Sequence, residues 1–211
     1  MKRINSHEYI LKKISHAVEN NFGWLGLNNC ELTELYQEIG ELINLDRLYL
    51  SGNKLTRLPV EFEQLTKLTR LDLRGNNFVN IPKEILRLTN LTVLDLRGNN
   101  LTEVTSDIGK LTNLTRLDLS DNNLVKLPFE IGYLVNLKEL YLDGNKIKPS
   151  FFCHYDIYVF SKITKVGCKV RTNEFWLKDS AELKRMLSSK WITDKDVFEI
   201  RKAINTVGYK T

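Results

Sequence analysis

The 211-residue chain has few residue groups whose types and spacing suit bond-making chemistry, and they sit close together. Cys153 and His154 are adjacent, with Asp156 two positions on. These are the parts of an activated thiol: a nucleophile, a base and an orienting carboxylate. The setting argues against that use. Phe151, Phe152, Tyr155, Tyr158 and Phe160 crowd the thiol, and an apolar site raises a thiol pKa and keeps the sulfur protonated and inert. Cys153, His154 and Cys168 lack the paired spacing of a zinc site, and no Gly-rich phosphate loop or paired-carboxylate motif accompanies them. The expectation is no enzyme, with no catalytic residue, metal or cofactor.

A second pattern is built for binding. Gly26, Tyr49, Asp72, Asp95, Asp118 and Tyr141 recur at a constant step of 23 residues. So do Trp24, Arg47, Arg70, Val93, Arg116 and Glu139 two positions earlier, and Asn28, Ser51, Arg74, Arg97, Ser120 and Asp143 two positions later. Aromatic residues and arginines carry most of the energy of protein interfaces. The candidate protein-contacting residues are therefore Trp24, Arg47, Tyr49, Arg70, Asp72, Arg74, Asp95, Arg97, Arg116, Asp118, Tyr141 and Asp143. Two readings stay open: a charged platform with aromatic anchors, or an Arg/Asp lattice that neutralises itself and keeps the face soluble, each exposed pair being worth about 0–1 kcal/mol.

Such columns exist only if the chain between them folds into stacked, identical coils. The segments beginning at Leu42, Leu65, Leu88, Leu111 and Leu134 share the pattern L-x-x-L-x-L-x-x-N-x-L, and a degenerate copy precedes them at Leu25, Leu27, Cys30, Leu32 and Leu35. About six repeats result, without insertions. The L-x-L unit alternates with period two, so it is a short strand with one buried face. Leu48/Leu50, Leu71/Leu73, Leu94/Leu96, Leu117/Leu119 and Leu140/Leu142 point inward, and one coil can bury them only by stacking on the next. Residues between and beside these leucines then point out.

Asn53, Asn76, Asn99, Asn122 and Asn145 follow each strand, where an inward amide can satisfy backbone groups of its own and the adjacent coil. They are expected to form a ladder whose first rung is Cys30. Gly52, Gly75, Gly98 and Gly144 precede them at an expected tight bend. Pro59, Pro82 and Pro128, followed by Glu61, Glu84 and Glu130, predict one-to-two-turn helical segments on the opposite side. Thr105 replaces the proline in one copy.

With these residues in view, the chain resembles the leucine-rich repeat superfamily, over roughly residues 22–149. Its LxxLxLxxNxLxxLPxEIGxL copies look most like the intracellular 23-residue type found in plant intracellular Ras-group proteins, Ras-pathway scaffolds, and bacterial Roco-like and Leptospira repeat proteins. The resemblance implies an α/β fold: a right-handed solenoid, or horseshoe, with a parallel concave β-sheet and short convex helical segments. It also implies a scaffold or adaptor of signal transduction that binds a protein, a small GTPase or other signalling protein among the candidates. No G-x-x-x-x-G-K-[ST] motif accompanies the repeats, so nothing points to a GTPase in this chain itself.

The ends of such a stack need covers, because each exposes apolar surface and an unpaired sheet edge. Residues 1–21 are read as an N-terminal capping helix, with Asn5 and Glu8 as a capping box and Ile10, Leu11, Ile14, Ala17 and Val18 on one face. Residues 22–150 hold the repeats. Residues 151–211 are an α-rich C-terminal cap or small appendage, with a strand or hairpin in 163–177 and helices near 180–189 and 194–206. Residues 151–211 contain 12 Lys and Arg against 7 Asp and Glu, which leaves 19 of each sign in 1–150. This mild surplus supports a rival reading, an effector or anionic-surface binder acting through the tail. No run of apolar residues is long enough to span a membrane, membrane contact is not expected, and no basic groove with interleaved aromatics points to nucleic acid. Three cysteines and no secretory-type leader predict free thiols and a cytoplasmic monomer.

Overall fold

The computed structural model describes residues 7–147, 169–171 and 176–177. The helix α1 spans His7–Glu19, and Ile10, Ile14 and Ala17 are buried against the first coil at 0%, 1% and 1% exposure. In its first turn Glu8 pairs with Lys12 at 2.9 Å, and the expected capping box involves Asn5, which lies outside the described residues. His7 and His16 are exposed and stack edge-on against Tyr36 and Phe22. Lys13 covers the open edge of the sheet: its Nζ donates to the Gly26 carbonyl at 3.2 Å.

Six three-residue strands follow at the 23-residue step: β1 Trp24–Gly26, β2 Arg47–Tyr49, β3 Arg70–Asp72, β4 Val93–Asp95, β5 Arg116–Asp118 and β6 Glu139–Tyr141. They pair in parallel, in sequence order and without slippage, so Leu25, Leu48, Leu71, Leu94, Leu117 and Leu140 are direct neighbours. A slip of one residue would turn every leucine to solvent, so the apolar pattern fixes the register. Two more strands, β7 Lys169–Arg171 and β8 Trp176–Leu177, extend the sheet, β7 parallel to β6 and β8 antiparallel to β7. They lie within the 163–177 segment read as a strand or hairpin. The expected helices near 180–189 and 194–206 lie outside the described residues.

The core is a column of leucines and isoleucines closed by Phe62 and Phe78, both fully buried. The side opposite the sheet carries 3-10 turns at Gln37–Glu41, Val60–Gln64, Ile85–Arg87, Ser106–Lys110 and Phe129–Tyr133. These are the expected one-to-two-turn segments, in 3-10 form, each of five residues or fewer before the next core leucine. Pro59 and Pro128 stand one residue ahead of their turns with extended backbone, and Thr105 adopts nearly the same angles, φ −76 and ψ 160. The missing proline therefore changes nothing in that coil.

The asparagine ladder forms as expected. Asn99 shows the pattern: its Nδ2 donates to the Leu73 and Leu96 carbonyls at 3.0 and 2.9 Å, and its Oδ1 accepts from the Phe78 N–H at 3.2 Å. Asn53, Asn76, Asn122 and Asn145 repeat it and are likewise buried. Cys30 occupies the first rung. Its N–H donates to Asn53 Oδ1 at 3.0 Å, and its thiol, raised in pKa by burial, lies 3.4 Å from the Asn28 carbonyl. The preceding bend is left-handed in every coil, with φ near +65° at the glycines. Asn29 and Asp121 adopt the same conformation without being glycine.

Candidate functional site

The strand alternation that buries the leucines sets three columns on the concave face, and the pairing brings every candidate contact residue onto that one surface. The columns are not equally available. Trp24, Arg47, Arg70, Arg74 and Arg97 are exposed, Trp24 at 62%. Tyr49, Asp95, Arg116, Tyr141 and Asp143 are half-buried, while Asp72 and Asp118 are buried at 8% and 4%.

The two buried carboxylates are held by neighbours. Arg74 folds back on Asp72 with Nε to Oδ1 at 3.0 Å and a terminal nitrogen to Oδ2 at 2.8 Å, and its own backbone N–H donates to Oδ1 at 3.1 Å. A guanidinium and a carboxylate meeting in two parallel bonds is the strongest common ion-pair geometry. Asp118 accepts from the Ser120 N–H at 3.1 Å and from the Ser120 hydroxyl, with Arg116 at 3.5 Å. Arg116 also reaches Glu139 at 3.2 Å and lies over the Tyr141 ring at 4.5 Å, while the Tyr141 hydroxyl donates to Glu139 at 3.3 Å.

Asp95 stands between these two settled carboxylates, in register with both. It accepts the Arg97 N–H at 3.2 Å, and Arg74 Nε comes only to 3.5 Å. Burial, then repulsion from Asp118, pushes its pKa up to about 6. The middle of the column thus holds one carboxylate more than its arginines compensate. Arg97 turns away to Asp121 at 3.5 Å.

Sequence reasoning missed Asp46. It precedes β2 in a column whose other members are Gly23, Thr69, Thr92, Thr115 and Lys138. Its carboxyl accepts the Thr69 hydroxyl and Arg47 Nε, contacts that, with Arg70 nearby, hold its pKa below the ordinary value. Asp121 was missed too; its signal was that it stands where four other coils carry glycine. A shallow trough beside the sheet is lined by Thr69, Thr92, Thr115, Asn90, Asn113 and Asn136. Thr92, Thr115 and the three asparagine amides donate to carbonyls one coil back, so these groups serve the backbone. Cys153, His154, Asp156 and Cys168 lie outside the described residues.

Two family models match where the geometry shows coils. One, described as leucine rich repeat, covers residues 23–78, and one described as leucine-rich repeat region covers 70–154. The chain belongs to the leucine-rich repeat superfamily. Among solved structures, this leucine-rich repeat chain is similar to a leucine-rich repeat protein of Leptospira interrogans, at 36% identity and TM-score 0.51, covering 63% of this chain and 40% of that one. An internalin (inlF) of Listeria monocytogenes is 25% identical with TM-score 0.53, over 67% of this chain and 38% of the internalin. The leucine-rich repeat ectodomain of the receptor kinase SOBIR1 from Arabidopsis thaliana is 32% identical with TM-score 0.50, over 58% of this chain and 69% of the ectodomain. The chain thus spans well under half of the bacterial proteins it resembles. No curated protein matches it.

Proposed function

We propose that the chain is a non-catalytic protein–protein interaction module, a scaffold or adaptor that holds a folded protein on its concave face. The observation that carries this reading is the contrast within each strand. The leucine of every strand is buried in the stack, whereas the residues beside it present exposed Trp24, Arg47 and Arg70 and half-buried Tyr49 and Tyr141 on one continuous surface. Rigid strands in fixed register supply a pre-organised surface, which lowers the ordering cost of binding. The similarity to an internalin and to a receptor ectodomain supports a recognition role.

The test is affinity capture with three baits of the full chain: wild type, Trp24→Ala/Arg47→Ala/Arg70→Ala, and a convex-side control, Val60→Ser/Lys83→Ala. All five altered residues are exposed, and circular dichroism should first show equal folding. A protein retained by wild type and the convex control but lost from the concave variant supports the reading. A protein retained by all three baits and released only when residues 151–211 are removed would move the function to the tail.

A further inference from the structure

We infer that the β1–β3 end of the concave face is an acceptor site for an acidic segment of a protein partner, with Arg47 and Arg70 taking carboxylates and Trp24 and Tyr49 taking an adjoining apolar side chain. The inference rests on the concave face being the interaction surface, and it names the chemistry of what binds there.

The arginines of this face divide into two groups. Arg74, Arg97 and Arg116 are each committed to carboxylates of the face itself: Asp72 and Asp95, then Asp121, then Asp118 and Glu139. Arg70 is different. It is exposed, and among the described residues its guanidinium makes no hydrogen bond or ion pair. Its charge acts on Asp46, whose oxygens already hold the Thr69 hydroxyl and Arg47 Nε. Arg47 spends one of its five N–H donors there. Lys13 adds a third cation at the edge of β1. Lys13, Arg47, Arg70 and Arg74 therefore outnumber Asp46 and Asp72 at this end, whereas β4–β6 set Arg97, Arg116 and Lys138 against Asp95, Asp118, Asp121, Glu139 and Asp143.

The geometry suits an extended acidic segment. Trp24, Arg47 and Arg70 are direct neighbours across β1, β2 and β3, so they form a row about 10 Å long at the usual strand spacing of about 4.8 Å. Gly26, also in β1, lacks a side chain and leaves a notch at the flank of the indole; a Cβ built there would sit 3.6 Å from Trp24 Cζ3. Tyr49 is the neighbour of Gly26 on β2 and closes the notch on its other side. A carboxylate on the arginines and an apolar side chain against the indole would desolvate together, the arrangement of an interface hot spot. The same charges disfavour a basic segment here, while Asp95 and Asp118 of β4 and β5 disfavour an acidic one in the middle of the face.

The experiment is an amide-resolved NMR titration of the full 15N-labelled chain with two short peptide probes. One contains Glu with a central Leu and Phe; the other has Lys at every Glu position. The acidic probe should move the amides of Trp24–Gly26, Arg47–Tyr49 and Arg70–Asp72. Its Kd should rise about tenfold in Arg70→Gln and stay within about twofold in Arg97→Gln. Equal shifts of these amides by the Lys probe, or acidic binding that survives Arg70→Gln, would overturn the assignment. A Lys probe bound only over β4–β6 would also overturn it while leaving the concave surface as the interaction face. Shifts by both probes confined to residues off the sheet would count against both readings.

Discussion

Arg74 and Asp72 meet in two parallel contacts of 3.0 and 2.8 Å although they lie on the outward face of an open sheet. The pair turns a position that alternation alone would expose into a buried one, with Asp72 at 8% exposure. Removing Arg74 leaves a buried carboxylate without its main cation, and such half-pairs are costly. Because Arg74 itself is half exposed, we expect Arg74→Ala to lose about 1–2 kcal/mol in urea unfolding. Arg70→Ala, in the same coil and on the same face, should stay within about 0.5 kcal/mol of wild type. Equal losses from the two would show that the pair does not organise the face.

Asp95 makes stability depend on pH in an unusual direction. Its folded-state pKa lies near 6, against 3.8 for the free group, because burial and Asp118 disfavour its charge. Below the unfolded value the carboxyl is protonated in both states and imposes no penalty. Between the two values the unfolded chain ionises while the native carboxyl keeps its proton, so stability falls as pH rises from 3.8 to about 6 and levels off above it. Asp95→Asn removes the charge and keeps an oxygen for the Arg97 N–H. At about pH 7.5 it should stabilise the fold by about 2 kcal/mol, and the gain should fade toward about pH 4. A gain independent of pH would contradict the assignment.

The asparagine ladder predicts a large loss from one small change. Asn99→Ala strips partners from the Phe78 N–H and the Leu73 and Leu96 carbonyls, all inside the stack. Each abandoned buried group costs about 1–3 kcal/mol. A loss of about 2–4 kcal/mol in chemical denaturation is expected, and a loss below about 1 kcal/mol would mean that water replaces the amide.

Gly144 and Asp121 are coupled across adjacent coils. Both are left-handed, and a Cβ on Gly144 would come 2.3 Å from Asp121 Oδ1 and 2.9 Å from its Cα. At Gly75 the nearest atoms are backbone of Gly52 at 3.7 Å. Gly75→Ala should therefore cost only the left-handed penalty of about 1–2 kcal/mol, and Gly144→Ala clearly more. Adding Asp121→Gly should recover part of the extra loss. Additive effects in a double-mutant cycle would deny the contact.

Most of the scaffold was legible in the sequence because its signals repeat. The leucine pairs, the Asn ladder and the left-handed bends each recur at a fixed step, and a stacked coil admits one register for them. The one-to-two-turn segments opposite the sheet were legible, but not their 3-10 pitch, because Pro and Glu mark where a turn begins and the distance to the next core leucine decides its pitch. The concave columns were legible as positions and not as partnerships. Whether Asp72 faces solvent depends on where the Arg74 side chain folds, and no spacing encodes that. Asp46 escaped notice because its importance comes from Arg47, Arg70 and Thr69 around it, in a column whose other members are Gly, Thr and Lys.

Site-specific photo-crosslinking addresses directly whether a protein partner sits on the concave sheet. A benzophenone amino acid at position 49, in β2, should yield a covalent adduct with a protein when the full chain is irradiated in an extract. The same group at exposed position 83, on the opposite side of the coil, should yield none. Adducts formed from position 83 and not from position 49 would contradict the account.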